Sequence, residues 1–430
     1  MEVPRESWEE PAPRANRITE SRACRLSARW LLPVESRAIE HGAILIGEDG
    51  RVQAAGGDRE VPRPAGVPSE DFGNSVILPG LINTHTHLEL TGFQQVTEPD
   101  FATWIRRLRE LKSTRTPVEY VEAARTGLRR CFASGVTSVA DTGDTGSVFE
   151  ALAEVDGSGV VYQEVFGPDP AQEEESLAGL RGRVENLRAR TTRRLHVGVS
   201  PHAPYTVSGA LFRSVAAWAQ RERLPLAVHI AESLDEARLL SDGSGEFAEA
   251  WKRRGIPLPQ PLGLSPIGWL SRHHVLSSQT LCIHAVRVGS DDIRLMAYAG
   301  ASVAHCPLSN RNHGHDAAPL TSLLEAGIPV GLGTDSEVSV GALDLLGEAR
   351  AAQEVARLTA NQVIAMCTLG GARALNLDHE IGSLRAGKWG DCAVIAIDGA
   401  LNAPPAEQVL ASGPGDVVLT CLGGREVFRA

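Results

Sequence analysis

Eight short apolar runs, separated by segments of helical character, constrain the fold of this chain most strongly. Each run after the first is preceded by a helix-like segment, such as "VEYVEAARTGLRRCFASG" before the second. Continuous apolar strands that alternate with helices favour a parallel sheet. Eight such units predict an α/β protein built on a (β/α)8 barrel. The runs are "GLINTHTH", "GVTSVADT", "GVVYQEVFG", "LHVGVSPH", "LPLAVHIAE", "TLCIHAV", "ASVAHCPLSN" and "IPVGLGTDS".

A doubly wound open sheet is the alternative arrangement of the same units. That fold would be expected to carry a glycine-rich phosphate-binding turn after its first strand. The segment "NTHTHLEL" occupies that place in this chain. The barrel is therefore the preferred prediction.

The two ends of the chain differ in character from the middle. Both contain short β-branched runs broken by glycine and proline, a pattern typical of strands joined by turns. We predict that residues 1–78 and 378–430 together form one small β-sandwich domain, and that residues 79–377 form the catalytic barrel. The first ~20 residues, which are acidic and contain proline, are predicted to be disordered.

Composition and charge exclude several classes of protein. The net charge of −11 and the lack of a dense Lys/Arg run argue against a nucleic-acid-binding surface. The seven cysteines are odd in number and no two lie three residues apart, which argues against a disulfide framework or a Cys-x-x-Cys metal site. No apolar stretch resembles a signal peptide or reaches the ~20 residues of a membrane span. We expect a cytoplasmic protein with free thiols, and the sequence leaves open whether it is a homodimer.

Polar residues stand at the predicted carboxyl ends of seven of the eight strands. In a barrel these ends meet on one face, where active sites lie. One polar residue often ends a strand simply because the chain reaches solvent, whereas seven strands ending this way indicate a shared site. The residues are His85 and His87 (first strand), Asp141 (second), His202 (fourth), His229 with Glu232 (fifth), His284 (sixth), His305 (seventh) and Asp335 (eighth).

Four of these residues suit a metal ion. His85 and His87 project to the same side, because residues i and i+2 of a strand share a face. With His229 and Asp335 they would surround a single ion on the barrel axis. Three neutral imidazoles and a carboxylate suit Zn²⁺ or Fe²⁺ and leave a position for water. Such an ion makes water a nucleophile near neutral pH.

Six motifs in order along the chain resemble those of the amidohydrolase superfamily, within its deaminase and chlorohydrolase branch. They are "PGLINTHTHLEL", "SPHAPYT", "VHIAES", "CIHAV", "HCPLSN" and "GLGTDS". The resemblance implies a barrel paired with a small terminal β domain. It implies that His85, His87, His229 and Asp335 are metal ligands, that Glu232 is the general acid/base, that His284 orients the attacking hydroxide, and that His202 contacts the substrate. In such a reaction Asp335 could also accept the water's proton while it holds the metal.

The lysines bear on how many ions the site holds. Two-metal members of the superfamily use a carboxylated lysine at the end of the fourth strand, but that strand ends "VSPHAP" here. Lys112 and Lys252 lie in helical segments, and Lys388 lies in the terminal β domain. We therefore predict one divalent ion, Zn²⁺ or Fe²⁺, and a small-molecule substrate.

The resemblance also suggests a substrate. "HTHLELT", "FATWIRRLREL", "SNR" and "GTDSEVSVGALDLLGEARAA" look most like aminodeoxyfutalosine deaminases of menaquinone synthesis. Such an enzyme converts a 6-aminopurine nucleoside to its hypoxanthine counterpart. Deaminases of S-adenosylhomocysteine or methylthioadenosine tend to have glycine after the eighth-strand aspartate, where this chain has Ser336. They remain the alternative, together with guanine, pterin or triazine-type amidohydrolases.

The sequence also contains two groups of basic residues whose place in the site is less certain from the pattern alone. His313 and His315, in the loop "SNRNHGHDAAP", either shape the pocket or belong to a solvated loop. Arg106, Arg107 and Arg109 could meet a carboxylate on the substrate, but such a run is more often the wet face of a helix. We do not place these three arginines in the site.

Overall fold

The structure is a computed structural model that describes residues 23–98, 100–260, 262–398 and 403–430. The segment predicted to be disordered, the first ~20 residues, lies outside the described residues. The described strands form two sheets, one parallel and one mixed. In chain order the strands are β1 (Cys24–Leu31), β2 (Ile39–Ile46), β3 (Val52–Gly57), β4 (Ser69–Asp71), β5 (Ser75–Pro79), β6 (Leu81–Thr86), β7 (Val136–Gly143), β8 (Ser158–Val165), β9 (Leu195–Pro201), β10 (Leu226–Ile230), β11 (Thr280–His284), β12 (Ser302–His305), β13 (Val330–Leu332), β14 (Cys392–Ala396), β15 (Val417–Leu422) and β16 (Arg425–Arg429).

Strands β6 to β13 form the parallel sheet and follow one another in chain order. The sheet closes because Asp335, just after β13, donates its backbone N–H to the carbonyl of His85 in β6, at 3.0 Å. A Cβ atom on Gly333 would lie 2.6 Å from the His85 nitrogen, so this close approach requires glycine. The predicted (β/α)8 barrel is confirmed, and each of the eight predicted runs overlaps one of its strands.

The helices follow the barrel strands and cover them. The helix α2 shows how the sequence sets one of them: Thr116 and Glu119 cap its first turn reciprocally, and Pro117 occupies the first helical position. The helices are α1 (Phe101–Lys112), α2 (Pro117–Ala133), α3 (Ser147–Glu154), α4 (Glu173–Arg188), α5 (Gly209–Glu222), α6 (Leu234–Ser241), α7 (Gly245–Arg253), α8 (Pro266–Arg272), α9 (Ser290–Ala299), α10 (Pro307–Asn312), α11 (Leu320–Glu325), α12 (Glu337–Val340), α13 (Leu345–Ala356), α14 (Ala360–Met366), α15 (Leu369–Ala374) and α16 (Pro405–Ala411).

The two ends of the barrel differ in polarity. A buried apolar cluster joins Ile82 and Leu281, near the starts of their strands, to Leu375 and Ile381 after α15. This packing closes the amino-terminal end of the barrel. The polar side chains are left at the carboxyl ends of the strands, on the opposite face.

The mixed sheet is built from both ends of the described chain, as predicted. Its strand order is β16-β15-β14-β5-β1-β2-β3, with β4 paired to β1. A buried ion pair links it to the barrel: both carboxylate oxygens of Asp391 accept hydrogen bonds from Arg194 at 2.7 Å. The Trp389 ring lies between the guanidinium groups of Arg194 and Arg51, each 4.4 Å from the ring centroid. Within the part of the chain that the structure describes, no helix combines the length and apolar character needed to cross a bilayer.

Candidate active site at the carboxyl ends of the barrel strands

The first strand delivers two imidazoles to the barrel axis. His85 lies within β6, and His87 follows the strand directly, so both side chains point to the same side. Asp141, at the end of β7, holds this segment, because its Oδ2 accepts the backbone N–H of Leu88 at 2.7 Å. The predicted polar end of the second strand therefore anchors the His-x-His segment from behind.

The four predicted ligands lie around one point. The Nε2 atoms of His85 and His87 lie 3.6 Å and 3.5 Å from the Oδ1 atom of Asp335. The His229 ring centroid lies 4.9 Å from that of His85 and 5.5 Å from that of His87. His85 is fully buried, and neither of its ring nitrogens has a hydrogen-bond partner among the described residues. A buried polar atom without a partner is costly, and a metal ion would supply the missing interaction.

Neighbouring groups orient these ligands. The Nδ1 atom of His229 lies 3.2 Å from the carbonyl oxygen of His202, which favours the tautomer with Nε2 free to bind a metal. The two oxygens of Asp335 accept hydrogen bonds from the Ser309 hydroxyl, at 2.6 Å, and the Ser336 N–H, at 2.7 Å. Asp335 also has a positive φ of 58°, a conformation that costs energy and is frequent at functional sites.

Burial keeps the imidazoles in the neutral form that binds metals. It lowers the pKa of His85 to about 4, although Asp335 opposes the shift. Burial and the neighbouring histidines lower the pKa of His229 well below its usual value. Burial raises the pKa of the Asp335 carboxyl, but the adjacent histidines outweigh it and hold that pKa well below its usual range. The set is thus three neutral imidazoles and one carboxylate at neutral pH, which suits a divalent ion.

Glu232 lies beside this group, between two histidines. Its Oε1 atom is 3.5 Å from Nε2 of His284 and 3.7 Å from Nε2 of His315. Burial raises the pKa of the Glu232 carboxyl, but these histidines lower it by more, to about 2. The Glu232 backbone is held by Glu236, whose Oε2 accepts its N–H at 2.8 Å. Asn310 holds His284 from behind, with its Oδ1 atom 2.9 Å from Nδ1 of the imidazole.

A cavity of about 510 Å³ opens onto these residues. His202 lies in its wall, with Nδ1 2.7 Å from the Thr206 hydroxyl. Phe101, Trp104 and Tyr205 supply much of the apolar surface. A concave, largely apolar pocket with a few convergent polar groups is what a small-molecule site requires.

The structure brings together most, but not all, of the strand-end residues. His87, His202, His229, Glu232, His284 and Asp335 line the cavity. The buried His85 lies against four of them: His87, His229, His284 and Asp335. His305 does not line it: its Nδ1 atom lies 3.3 Å from the carbonyl of His284, so it supports that residue. The loop histidines prove to face the site, since His313 lines the cavity and His315 contacts Glu232.

Sequence reasoning missed several polar residues in the pocket. Glu164 in β8 is buried, and its Oε1 atom has no hydrogen-bond partner among the described residues. Lys112 reaches the pocket and pairs with Glu89 at 3.1 Å and Asp144 at 2.7 Å. A charged residue inside an apolar strand was an available signal for Glu164. The location of Arg109 in the cavity wall also differs from the prediction of a wet helix face.

Comparison with known proteins agrees with this arrangement. Residues 76–427 match the amidohydrolase family. The chain belongs to that family. It is 32% identical over 326 residues to an aminodeoxyfutalosine deaminase of Deinococcus radiodurans, covering 73% of this chain and 76% of that one. It is 28% identical over 419 residues to a 5-methylthioadenosine/S-adenosylhomocysteine deaminase of Symbiobacterium thermophilum, covering 93% and 92%. The prediction of a hydrolytic deaminase from this superfamily is confirmed.

A solved amidohydrolase-like structure has the same fold. It is an adenosine deaminase of Xanthomonas campestris with bound zinc, with a TM-score of 0.83 and 22% identity over 95% of this chain and 93% of that one. At this identity the likeness concerns the fold alone. The support for a divalent-metal site comes from this chain's own residues: the possible ligand atoms of His85, His87 and Asp335 lie within 4.8 Å of one another.

Proposed function

We propose that this chain is a metal-dependent hydrolytic deaminase of a 6-aminopurine nucleoside with an altered 5′ end, and that aminodeoxyfutalosine is its preferred substrate. The observation that carries the proposal is the position of Glu232 and His284 directly beside a ligand set of three histidines and an aspartate. The relatives from Deinococcus radiodurans and Symbiobacterium thermophilum support the nucleoside class, since both are named as deaminases of such compounds.

In this proposal His85, His87, His229 and Asp335 hold one divalent ion, Zn²⁺ or Fe²⁺. The fit rests on the unpartnered ring nitrogens of His85 and on the neutral imidazoles. When bound, the ion supplies a water of lowered pKa, which is nucleophilic near neutral pH. Two-metal members of the superfamily use a carboxylated lysine as a bridge at the end of the fourth strand, where this chain has His202; Lys112, which reaches the pocket, is already paired with Glu89 and Asp144.

Glu232 transfers the proton that the reaction requires. Its lowered pKa makes it a carboxylate in the free enzyme, so it must first accept a proton from the attacking water. Asp335 is the other carboxylate placed to accept one. Glu232 then delivers its proton to N1 of the purine, next to the carbon attacked at C6. The second proton of the attacking oxygen passes, through Asp335 or Glu232, to the C6 amino group. The C6–N bond then breaks, ammonia leaves, and the ring becomes a hypoxanthine, so adenine nucleoside and water are consumed in equal amounts.

His284 and His202 position the reactants. His284 is held by Asn310 and lies 3.5 Å from Glu232, where it can hydrogen-bond the attacking oxygen. His202 is assigned to the sugar side of the ligand, and its ring lies next to that of His229, at 4.7 Å between centroids. A site that hydrogen-bonds a substrate group rejects compounds lacking that group by up to about 10⁴–10⁵. Free adenine should therefore be a poor substrate.

The test compares kcat/KM for five compounds: aminodeoxyfutalosine, S-adenosylhomocysteine, methylthioadenosine, adenosine and adenine. Each reaction is monitored by the change in ultraviolet absorbance and by the release of ammonia. Highest kcat/KM for aminodeoxyfutalosine supports the proposal. Highest kcat/KM for S-adenosylhomocysteine or methylthioadenosine would keep the mechanism and change the substrate. Turnover of guanine, a pterin or a triazine alone would contradict the nucleoside assignment.

A further inference from the structure

Two arginine side chains line the active-site cavity without an acidic partner. They are Arg109, near the end of α1, and Arg254, just after α7. Neither guanidinium donates a hydrogen bond or forms an ion pair with any residue in the described parts of the chain. Both residues are exposed, whereas His85 and His229 are buried. The two arginines therefore mark the solvent end of the cavity, and the candidate metal ligands mark its closed end.

Neighbouring arginines in the same helix behave differently. Arg106 donates to the Thr103 hydroxyl at 2.6 Å, and Arg107 donates to the Glu110 carboxylate at 2.9 Å. Neither of them lines the cavity. The prediction that these arginines lie on the solvent-exposed face of the helix therefore holds for Arg106 and Arg107. Arg109 lies about 200° around the helix from Arg107, and it lines the pocket.

Arg109 and Arg254 line the same cavity, and both are exposed, so their two positive charges repel each other across its solvent end. Burial and the charge of Arg254 both lower the pKa of Arg109. Like charges in proximity, with no counter-ion from the protein, are unfavourable, and a bound anion would offset that repulsion. A guanidinium presents a planar fork of donors that matches a carboxylate.

Aromatic packing fixes the elements that carry these arginines. Trp251, in α7, donates its Nε1–H to the carbonyl of Tyr205 at 2.9 Å. The Tyr205 ring stacks on that of Phe247 at 4.2 Å between centroids. Phe101 and Trp104 of α1 are buried and stacked, and the Phe101 ring meets that of Tyr205 at 6.2 Å between centroids. Both arginines are therefore attached to elements that aromatic packing holds in place, and Phe101, Trp104 and Tyr205 line the same cavity as the arginines.

We infer that Arg109 and Arg254 bind a carboxylate at the far end of the substrate's 5′ substituent. The inference rests on the proposed function, in which the purine ring lies at the closed end of the cavity. The 5′ substituent then crosses the aromatic wall and its terminal carboxylate meets the two guanidinium groups. Among adenine nucleosides, this arrangement selects those with an anionic 5′ substituent over methylthioadenosine, whose substituent is neutral.

The experiment uses a matched pair of substrates: a 5′-(carboxyalkylthio)-5′-deoxyadenosine and its primary amide, which differ only in charge. We expect the wild-type enzyme to favour the acid by at least about tenfold in kcat/KM, since charge-assisted hydrogen bonds are the stronger ones. The preference should weaken at high salt because both arginines are exposed. In the double variant Arg109→Gln with Arg254→Gln, the ratio of acid to amide should fall toward one.

Matched controls are available beside each residue. Arg107 lies in the same helix as Arg109, and Arg253 directly precedes Arg254. Arg107→Gln and Arg253→Gln each remove one positive charge without changing a residue of the cavity lining, and should keep the wild-type ratio. Equal kcat/KM for acid and amide in the wild type, or a preference that persists in the double variant, would overturn the inference while leaving the deaminase proposal intact. Better turnover of adenosine 5′-monophosphate than of the acid would overturn the choice of carboxylate.

Failure of the proposed function would look different. If no adenine nucleoside is deaminated, the binding of the same acid and amide is measured by calorimetry on the metal-loaded enzyme. Tighter binding of the acid, lost in the double variant, would still support the anion subsite. Equal or undetectable binding of the two compounds would overturn it.

Discussion

Two regions of this molecule bury polar side chains, and they treat them in opposite ways. At the junction between barrel and terminal sheet, Asp391 accepts two hydrogen bonds from Arg194 and a third from the Gly423 N–H. At the carboxyl ends of the barrel strands, His85 is as deeply buried, yet neither of its ring nitrogens has a partner among the described residues.

This difference distinguishes buried polar groups that stabilise the fold from buried polar groups that bind a ligand. A buried pair such as Arg194 and Asp391 satisfies its groups within the chain, and therefore holds two parts of the protein in register. Unpaired buried imidazoles raise the energy of the metal-free protein, and they are retained where a ligand supplies the partner. Substitutions in the two regions should therefore affect different quantities: folding stability at the junction, and metal content or turnover at the strand ends.

The largest effect is expected for His85→Ala. It removes a ligand from the centre of the site, so bound metal should fall from about one equivalent to near zero and deamination should be lost. Metal content is measured by inductively coupled plasma mass spectrometry on the purified protein. His196→Ala is the control, because His196 lies in β9 near its amino-terminal end and should leave both quantities unchanged. Two tightly held equivalents in the wild type would contradict the one-ion prediction.

At the junction, Arg194→Met should lower stability and spare chemistry. Both side chains of the pair are nearly inaccessible, at 5% and 3% exposure, and removal of one partner leaves the Asp391 charge buried. Such a loss costs about 3–5 kcal/mol in the free energy of unfolding, which urea denaturation measures. Metal content and kcat should stay at wild-type values.

A surface pair provides the comparison for that measurement. Arg188 and Glu222 are about half exposed, at 47% and 44%, so Arg188→Met should change stability far less. If Arg194→Met and Arg188→Met lower the free energy of unfolding by similar amounts, the buried junction pair contributes no more to stability than an exposed pair. A loss of metal in the Arg194 variant would break the proposed separation between the two regions.

Glu232→Gln tests the proton transfer. The substitution keeps the size and polarity of the side chain but removes the group that takes up and delivers the proton. Metal should remain bound while kcat falls by about 10² or more. If kcat is nearly unchanged, another residue supplies the proton, and Asp335 becomes the first candidate.

The architecture and the inner residues of the site can be predicted from the sequence. The alternation of apolar runs with helical segments predicts the barrel, and the position of polar residues at the strand ends predicts the site. A strand end fixes where its side chain lies, so His85, His229 and Asp335 could be placed together before any coordinates. Residues delivered by loops and helices could not be placed in this way. Whether His313 and His315 face the pocket depends on how their loop folds back, and Arg109 differs from Arg107 only in its direction around one helix.

Glu164 is an instructive miss. It lies in the one barrel strand that did not appear to end in a polar residue, and it stands inside the apolar run "GVVYQEVFG" rather than after it. Its burial raises the pKa of its carboxyl to about 8. Apolar periodicity alone does not show which face of such a strand points to the barrel axis, so the structure was needed to place it.

The smallest effect is expected for Ser309→Ala, which tests whether the groups behind the ligands matter. The Ser309 hydroxyl donates to Oδ2 of Asp335 at 2.6 Å, while Oδ1 faces His85 and His87. Loss of one such supporting hydrogen bond typically reduces metal affinity or activity by about 10–100-fold; we expect the lower end, because the Ser336 N–H still holds Oδ1. Competition with a chelator measures the affinity. Ser322→Ala, in the outer helix α11, is the matched control. Wild-type affinity and kcat in Ser309→Ala would show that Asp335 is held by its backbone conformation alone, and that the supporting hydrogen bonds contribute nothing to the site.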